Sequence, residues 1–420
     1  MSKDKEKNPN DKVVSMKNVK KLKGGIDYPN TCDGKILDTA NNLKFLLDLH
    51  FIKVRWNSML RVREVTIPGV DHFVDEKENA DLAHIYHLAT TSRMPNKTLD
   101  KHLDSIAWNK AYHPVVESLA SKPWDGVARM DNFIATLKTK DQEFSYSIIR
   151  RWMISAIAAC HSKTGFSAQG VLVLQGIQNL GKTRWVKSLD PIGCGAVQEA
   201  LIIDPSNKDS VITASQCWIA ELGELDATFK KADIARLKSF ITNSVDIVRF
   251  PYNARNSYLN RRSVFVATVN DSEFLVDDTG NRRWWTIEVE SIDFSQAWDM
   301  QQVWAEVYHI WKTENEKTWL SETELHNLNK VNEQHELIDP YEEKFLALFD
   351  FHPGWEQQTT IKMTTTEVLE KLGYDKPNKS DVTRMGKIII KHTGFRPKKS
   401  NLRYHALPTL TSNFGFSDPF

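Results

Sequence analysis

The chain has 420 residues, 41% apolar and 26% charged, a composition that excludes a disordered or fibrous protein and gives length for roughly two or three domains. No run approaches the ~18 apolar residues of a membrane span, and the Lys/Asp/Asn-rich start lacks the apolar core of a secretory signal, so a cytoplasmic protein without membrane contact is expected. The net charge of +1 hides two basic stretches: Ser2 to Lys23 carries eight Lys against three acids, and Lys371 to Arg403 carries ten Lys/Arg against Asp375 and Asp381. Such stretches suit a polyanion, although they also occur as solvated faces. Cys32, Cys160, Cys194 and Cys217 lack the Cys-x-x-Cys spacing of a zinc site, so mostly buried, reduced thiols are expected.

Residues 1–30 read as a disordered basic tail. Leu43, Leu46 and Leu47 then share one helix face, and the alternating runs Phe51–Trp56 and Met59–Val65 form a hairpin around Asn57-Ser58. Lys53, Arg55, Arg61 and Arg63 on its polar face fit either nucleic-acid contact or a solvated surface. Helices near 78–92 and 97–112 complete a small α+β domain over 31–130, in which 112–126 reads as a connector.

A nucleotide-binding α/β domain is expected over 131–318. It opens with a helix whose core face carries Ile149, Met153 and Ile157. The apolar strand Val171–Leu174 leads into Gly176-x4-Gly181-Lys182-Thr183, and Trp185, Val186 and Leu189 follow at helical spacing. A triphosphate needs several backbone N–H groups converging on it, and a glycine-permitted loop opening a helix supplies them. Gly176, Gln178, Asn179, Gly181 and Arg184 would cradle ATP, Lys182 would reach its outer phosphates, and the Thr183 hydroxyl would hold Mg²⁺.

A second buried strand, Cys217–Leu222, brings Glu221 and Glu224, expected at the end of a parallel strand beside the loop strand. Glu221 is read as the acid on the Mg²⁺ side and Glu224 as the catalytic base, with the two roles exchangeable; acids that open a helix would look the same. Ile234, Leu237 and Ile241 mark an amphipathic helix that leaves Lys238 free. Val245–Phe250 and Ser257–Arg262 then read as a hairpin whose tip carries Arg249, Tyr252 and Arg255, a composition suited to following a single-stranded backbone and stacking on bases. The strand Val264–Thr268 ends at Asn270, placed to sense a terminal phosphate. Arg282 and Arg283 suit charge on a transferring phosphoryl group, in their own chain or a neighbouring subunit. Met300 through Trp311 is a packing stripe. Residues 319–340 read as helix plus linker. Over 341–420, short helices and a basic β-like tail suggest a winged helix-turn-helix whose nucleic-acid face includes Arg384, Lys387, Lys398, Lys399 and Arg403.

The ordered set Tyr112-His-Pro-Val115, Lys122-Pro-Trp-Asp-Gly126, the 176–183 loop, Trp218–Asp226, Lys238, Asp246 with Arg249 and Tyr252, Thr268-Val-Asn270 and Gly280–Trp284 resembles the virulence-associated E family of phage, satellite and mobile-island proteins. That family is a branch of the superfamily 3-like AAA+ helicases. The resemblance implies a ring, a hexamer by the family's habit, that is driven by ATP along single-stranded, forked or origin DNA, with a primase or host replication proteins as further partners. Lys182, Thr183 and Glu221 would serve one subunit's nucleotide, Arg282 or Arg283 would reach the neighbour's, and the 249–262 hairpin with Lys238 would line the pore. The sequence departs from the wider pattern in lacking an adjacent acidic pair and an upstream primase-type acidic cluster. A scaffold that binds DNA under ATP control without unwinding it is the alternative, and a small-molecule kinase would leave the hairpin and paired arginines unexplained.

Overall fold

The computed structural model describes residues 26–70, 74–191, 193, 195–223, 231–250, 255–275, 281–337, 339–357, 360–399 and 403–411. The basic tail up to residue 25, Cys194, Glu224 and Tyr252 lie outside them. The chain divides into two compact units, Met1–Gln334 and His335–Phe420.

The first unit begins with a short ladder (β1, Thr31–Cys32; β2, Lys35–Ile36) and helix α1 (Ala40–Leu49), capped by the Thr39 side chain. Strands β3 (Lys53–Asn57) and β4 (Val62–Thr66) pair antiparallel with Asn57 opposite Val62, so the turn is Ser58–Arg61, two residues longer than the sequence suggested. Helices α2 (Lys77–Thr91) and α3 (Leu99–Trp108) and strand β5 (Ala111–Tyr112) complete a lobe with its own core around Leu43, Leu46, Ile85 and Leu103. Three of the four basic residues on the hairpin face are tied up inside the chain, while Lys53 is exposed. Arg55 pairs with Glu117 and lies over the Tyr112 ring, and Arg63 pairs with Asp100 and Asp104. Arg61 donates to the carbonyls of Ser215 and Asn260.

The expected connector is helix α4 (Pro114–Ser121), and α5 (Met130–Ile134) follows. Proline at the first helical position starts α4 at no cost, because its missing N–H would be unpaired there anyway. Val115, Leu119, Met130 and Phe133 join the central core, so the lobe ends near Tyr112 and not at 130.

Next come β6 (Leu137–Thr139), α6 (Gln142–His161), β7 (Val171–Gln175), α7 (Lys182–Ser188), β8 (Val197–Leu201), α8 (Lys208–Ala214), β9 (Ile219–Leu222) and α9 (Lys231–Thr242). A two-stranded hairpin, β10 (Val245–Val248) and β11 (Ser257–Asn260), precedes β12 (Val264–Val269), β13 (Trp284–Ile292), α10 (Met300–Glu314) and α11 (Glu322–Glu333). Six strands form the sheet β6-β13-β7-β12-β9-β8, parallel throughout except for β6. Strand β7 is an unbroken apolar run because helices cover both faces of the sheet. Four fully buried tryptophans fix those layers by their indole N–H groups: Trp152 donates to Phe265 O, Trp218 to Ala156 O, Trp304 to Leu189 O and Trp185 to Thr136 Oγ1. The segment read as helix plus linker is integral to this unit: α11 buries Leu328 in the core, and Asn332 Nδ2 bonds the carbonyls of Asn281 and Trp284.

The second unit has helices α12 (Pro340–Leu348), α13 (Thr365–Lys371) and α14 (Lys379–Thr393) and the sheet β14-β16-β15 (Ile361–Met363, Arg403–Leu407, Lys398–Lys399). Capping boxes at Thr364 and Asn378 start α13 and α14, and Phe345, Val368, Met385 and Ile389 form a separate core.

Candidate functional site

The loop between β7 and α7 crosses the carboxyl end of the parallel sheet, where open α/β folds place ligands. Its backbone needs small residues for two different reasons. A Cβ on Gly176 would stand 2.5 Å from the Val289 carbonyl, and Gly181, at φ +86°, would press one against the Phe294 ring at 2.8 Å. Asn179 also has positive φ, at +69°. The Lys182 side chain is buried, with Nζ 2.9 Å from Ile177 O and 3.0 Å from Asn270 Oδ1, and it also donates to Gly176 O. Gln178, Asn179, Thr183 and Arg184 are exposed. Arg184 lies over the Phe294 ring, 4.2 Å from its centroid.

Strand alternation explains why an acid sits under this loop. In β9, Ala220 and Leu222 face the α9 side of the sheet, while Ile219 and Glu221 face the α6–α7 side. In β12, Thr268 shares that face with Val264 and Val266. Glu221 is 2% exposed, and its Oε1 accepts from Thr183 Oγ1 at 3.0 Å and from Thr268 Oγ1 at 2.9 Å. Its Oε2 is buried without a hydrogen-bond partner. A carboxylate oxygen out of water and unpaired costs about 1–3 kcal/mol or more, a cost that a hydrogen-bond donor or a cation would offset. Among the described residues no cluster of three or more His, Cys, Asp or Glu could hold a metal by protein ligands alone. One carboxylate and one hydroxyl, with phosphate oxygens completing the shell, is the usual protein share around Mg²⁺.

Two expectations about these residues change. Strand β9 is not beside β7; β12 lies between them, and Thr268 on that intervening strand is a contact the sequence did not reveal. Lys238 is not free: it is 5% exposed, with Nζ 3.5 Å from Asn281 Oδ1 at the seam between α9 and the turn before β13.

Arg282 and Arg283 are far from their own loop. Register pairs Trp284 with Val171 at the start of β7 and Glu288 with Gln175 at its end, which separates the arginines from the loop by roughly 13 Å along the strands. They line a cavity of about 210 Å³ with Gln169, Thr242, Trp285 and Trp319. Among the described residues neither makes an ion pair, and Arg283 Nε is buried without an acceptor. Burial, and then the neighbouring Arg282, push the Arg283 guanidinium below its ordinary pKa.

The hairpin forms as expected, with Val248 opposite Ser257, and Arg249 and Arg255 are exposed at its outer end. Its base is held by a residue the sequence reading passed over. Arg261 is 1% exposed, grips the Asp246 carboxylate with Nε at 3.0 Å and Nη2 at 2.5 Å, donates to Phe240 O and covers the Phe240 ring. The only clue in the sequence was Asp246, an acid at an inward position of a strand.

In the second unit Lys387 and Arg403 are exposed. Arg384 is engaged by Asp339 at 2.5 Å and lies over Tyr341, so it braces α14 against α12 and does not point outward alone. Lys398 and Lys399 form β15 beside Arg403, their side chains lying outside the described residues. Cys160 and Cys217 are buried and Cys32 is exposed. No helix among the described residues is long and apolar enough to cross a membrane.

Two solved structures of the C-terminal region of NrS-1 are similar to this chain. One is 14% identical, with 87% of this chain and 98% of that chain covered and a TM-score of 0.46. The other is 15% identical, with 89% and 100% covered and the same TM-score. Nothing among curated protein sequences matches. The virulence-associated protein E-like domain model matches residues 118–337, more than half of the chain and all of the sheet, loop and arginine turn, and the chain belongs to that family.

Proposed function

We propose that the chain is a Mg²⁺-dependent ATPase with a P-loop AAA+ core of the superfamily 3 type, and that it drives a ring along DNA during replication of a phage or mobile element. The observation that carries this reading is the Glu221 carboxylate, buried beneath the Thr183 hydroxyl with one oxygen unpaired, at the same loop that holds Lys182 and Asn270. Lys182 turns from the loop carbonyls to the outer phosphates, Thr183 and Glu221 hold Mg²⁺, and Asn270 senses the terminal phosphate through its contact with Lys182. Bound Mg²⁺ neutralises charge on the phosphates. Glu224 is the companion acid for positioning water.

The arginine turn makes the site a shared one. Because β7 and β13 hold Arg282 and Arg283 at the opposite end of the sheet, they serve a nucleotide on a neighbouring copy, which is how a hexameric ring would be built. The hairpin, fixed at its base by Arg261 and Asp246 and with Arg249 and Arg255 exposed at its outer end, is the element that meets single-stranded DNA, through these arginines and Tyr252. The second unit acts as a winged helix, with Lys387, Lys398, Lys399 and Arg403 toward duplex or origin DNA. A primase or host replication protein is a further partner.

The test is strand separation on a forked DNA substrate with ATP, comparing the wild type with Lys182→Ala at fixed salt. Unwinding by the wild type alone is expected. ATP hydrolysis and DNA binding without any separation would replace the motor by an ATP-controlled scaffold.

A further inference from the structure

The hairpin β10–β11 carries more than the arginines at its outer end. Alternation along its two strands sends Asp246, Val248 and Leu259 into the core, each at most 5% exposed, and turns Ile247 and Tyr258 outward, 61% and 69% exposed. Ile247 and Tyr258 are direct partners in the ladder, so their side chains stand next to each other on one face. The solvated face of an antiparallel pair ordinarily carries polar side chains. Here it carries a ring and a branched apolar chain, on a ribbon held from beneath by Arg261 and Asp246.

A groove of about 550 Å³ runs beside this ribbon. It is lined by four consecutive residues of β10, Val245 to Val248, by Arg236, Ser239 and Asn243 of α9 and by Lys208 of α8. Four consecutive residues of a strand border one groove only along the strand's edge, and among the described residues β10 pairs with β11 alone. Asp246 in this lining is spent on Arg261. Asp204, next to the lining residue Pro205, is turned onto its own backbone, accepting from Ser206 N at 2.8 Å and Ser206 Oγ at 2.6 Å. The exposed cations Lys208 and Arg236 therefore set the sign of the groove.

We propose that the outward face of β10–β11 is a base-stacking platform for single-stranded DNA, an assignment that rests on reading the hairpin as the single-strand element. Tyr258 is the stacking ring, Ile247 widens its apolar surface, and Lys208 and Arg236 take phosphates of the same strand. A cationic channel beside an exposed ring suits a single strand, whose phosphates follow the charge while its bases lie on the ring. A duplex keeps its bases stacked on one another and has none to lay on such a face. Every base has a π-face, so the platform tolerates any sequence. The strand then meets the ribbon along its length as well as at Arg249 and Arg255.

The test follows binding to the full chain by fluorescence anisotropy, using a labelled oligothymidylate and an abasic oligonucleotide of equal length, which keeps sugars and phosphates and lacks bases. Tyr258→Ala should weaken oligothymidylate binding about tenfold and leave abasic binding unchanged, and Tyr258→Trp should restore the loss. Lys208→Ala should weaken both ligands alike. Unchanged binding of both ligands in Tyr258→Ala, with Arg255→Ala still weakening both, overturns the platform and spares the hairpin. Equal losses of the two ligands in Tyr258→Ala also overturn it, because bases would then play no part. A changed oligomer mass by light scattering in Tyr258→Ala, with oligonucleotide binding unaltered, gives the face to a second copy of the chain instead. If neither Arg255→Ala nor Tyr258→Ala alters either affinity, the hairpin reading falls and this inference with it.

Discussion

The two ends of the central sheet are built on opposite principles. At the carboxyl end, backbone and side chains close around one another: Lys182 is held by two carbonyls and Asn270, and Thr183 and Thr268 both reach Glu221. At the amino end, cations collect in poorly solvated positions. Burial lowers Arg61 to about 10 and pushes Arg262 and Arg283 down as well, and no carboxylate answers Arg282 or Arg283 among the described residues. One end is nearly complete within a single chain and the other is not. A parallel sheet cannot bring its ends together, because strand length and register fix the gap, so on the proposed reading a second copy would unite them.

The largest effect expected at the carboxyl end is that of Lys182→Ala. Phosphate release from ATP should fall about a thousandfold or more, together with nucleotide binding, because the cation nearest the outer phosphates is gone. Turnover surviving in this variant would break the comparison at its stronger end.

At the amino end the prediction separates binding from chemistry. Arg282→Ala or Arg283→Ala should leave ATP affinity near wild type and lower turnover about a hundredfold in at least one variant, if as proposed the side chain meets only a neighbour's nucleotide. Mixing the Lys182→Ala protein with the double Arg282→Ala, Arg283→Ala protein should recover part of the turnover, because some junctions then combine an intact loop with intact arginines. Mixtures no more active than their parts would mean the arginines do not act across subunits.

The unequal legibility of the two ends follows from the same geometry. The loop could be read because its chemistry is local: glycines, Lys182 and Thr183 are contiguous, and Glu221 ends an apolar run. Asn270 could be placed because a strand end next to the loop is a short inference. Strand order is another matter, since nothing in the sequence says that β12 comes between β7 and β9. Charged residues at the amino end misled for a physical reason. Periodicity assigns a lysine or arginine to the solvent face, yet Lys238 and Arg61 are covered by segments distant in the chain, and Arg384 in the second unit is met by Asp339. Residues 319–340 read as helix plus linker because they are polar, although Leu328 and Asn332 sit at one buried edge of α11 and tie it into the core.

A third prediction uses the poor solvation of the amino end. His113 is buried with neither ring nitrogen hydrogen-bonded, and burial, then Arg262 and His161, lower its pKa from 6.5 to about 3. The folded chain therefore resists protonation that the unfolded chain accepts. The contribution to stability is whole above pH 6.5 and is lost as pH falls from there toward 3. The slope is about 1.4 kcal/mol per pH unit, or about 2 kcal/mol between pH 6.5 and 5. Urea unfolding at pH 7 and pH 5 should show this loss in the wild type and a smaller one in His113→Leu or His113→Phe. Equal losses in all three proteins would place the pH sensitivity elsewhere.

The smallest effect expected tests whether the hairpin beside that end meets DNA. Arg255→Ala removes one exposed cation from an element anchored by Arg261 and Asp246, so its fold should survive. If Arg255 contacts one phosphate of a single strand, the slope of log affinity against log salt should fall in magnitude by about 0.7, with a loss of affinity of only a few-fold. Arg403→Ala in the second unit should instead lower the slope for duplex DNA by about 0.9 and leave the single-strand slope alone. The two variants thus divide single-strand from duplex contact. An Arg255→Ala slope identical to wild type would leave the hairpin as a structural arm of α9, and the amino end would then have only its arginine turn to offer another molecule.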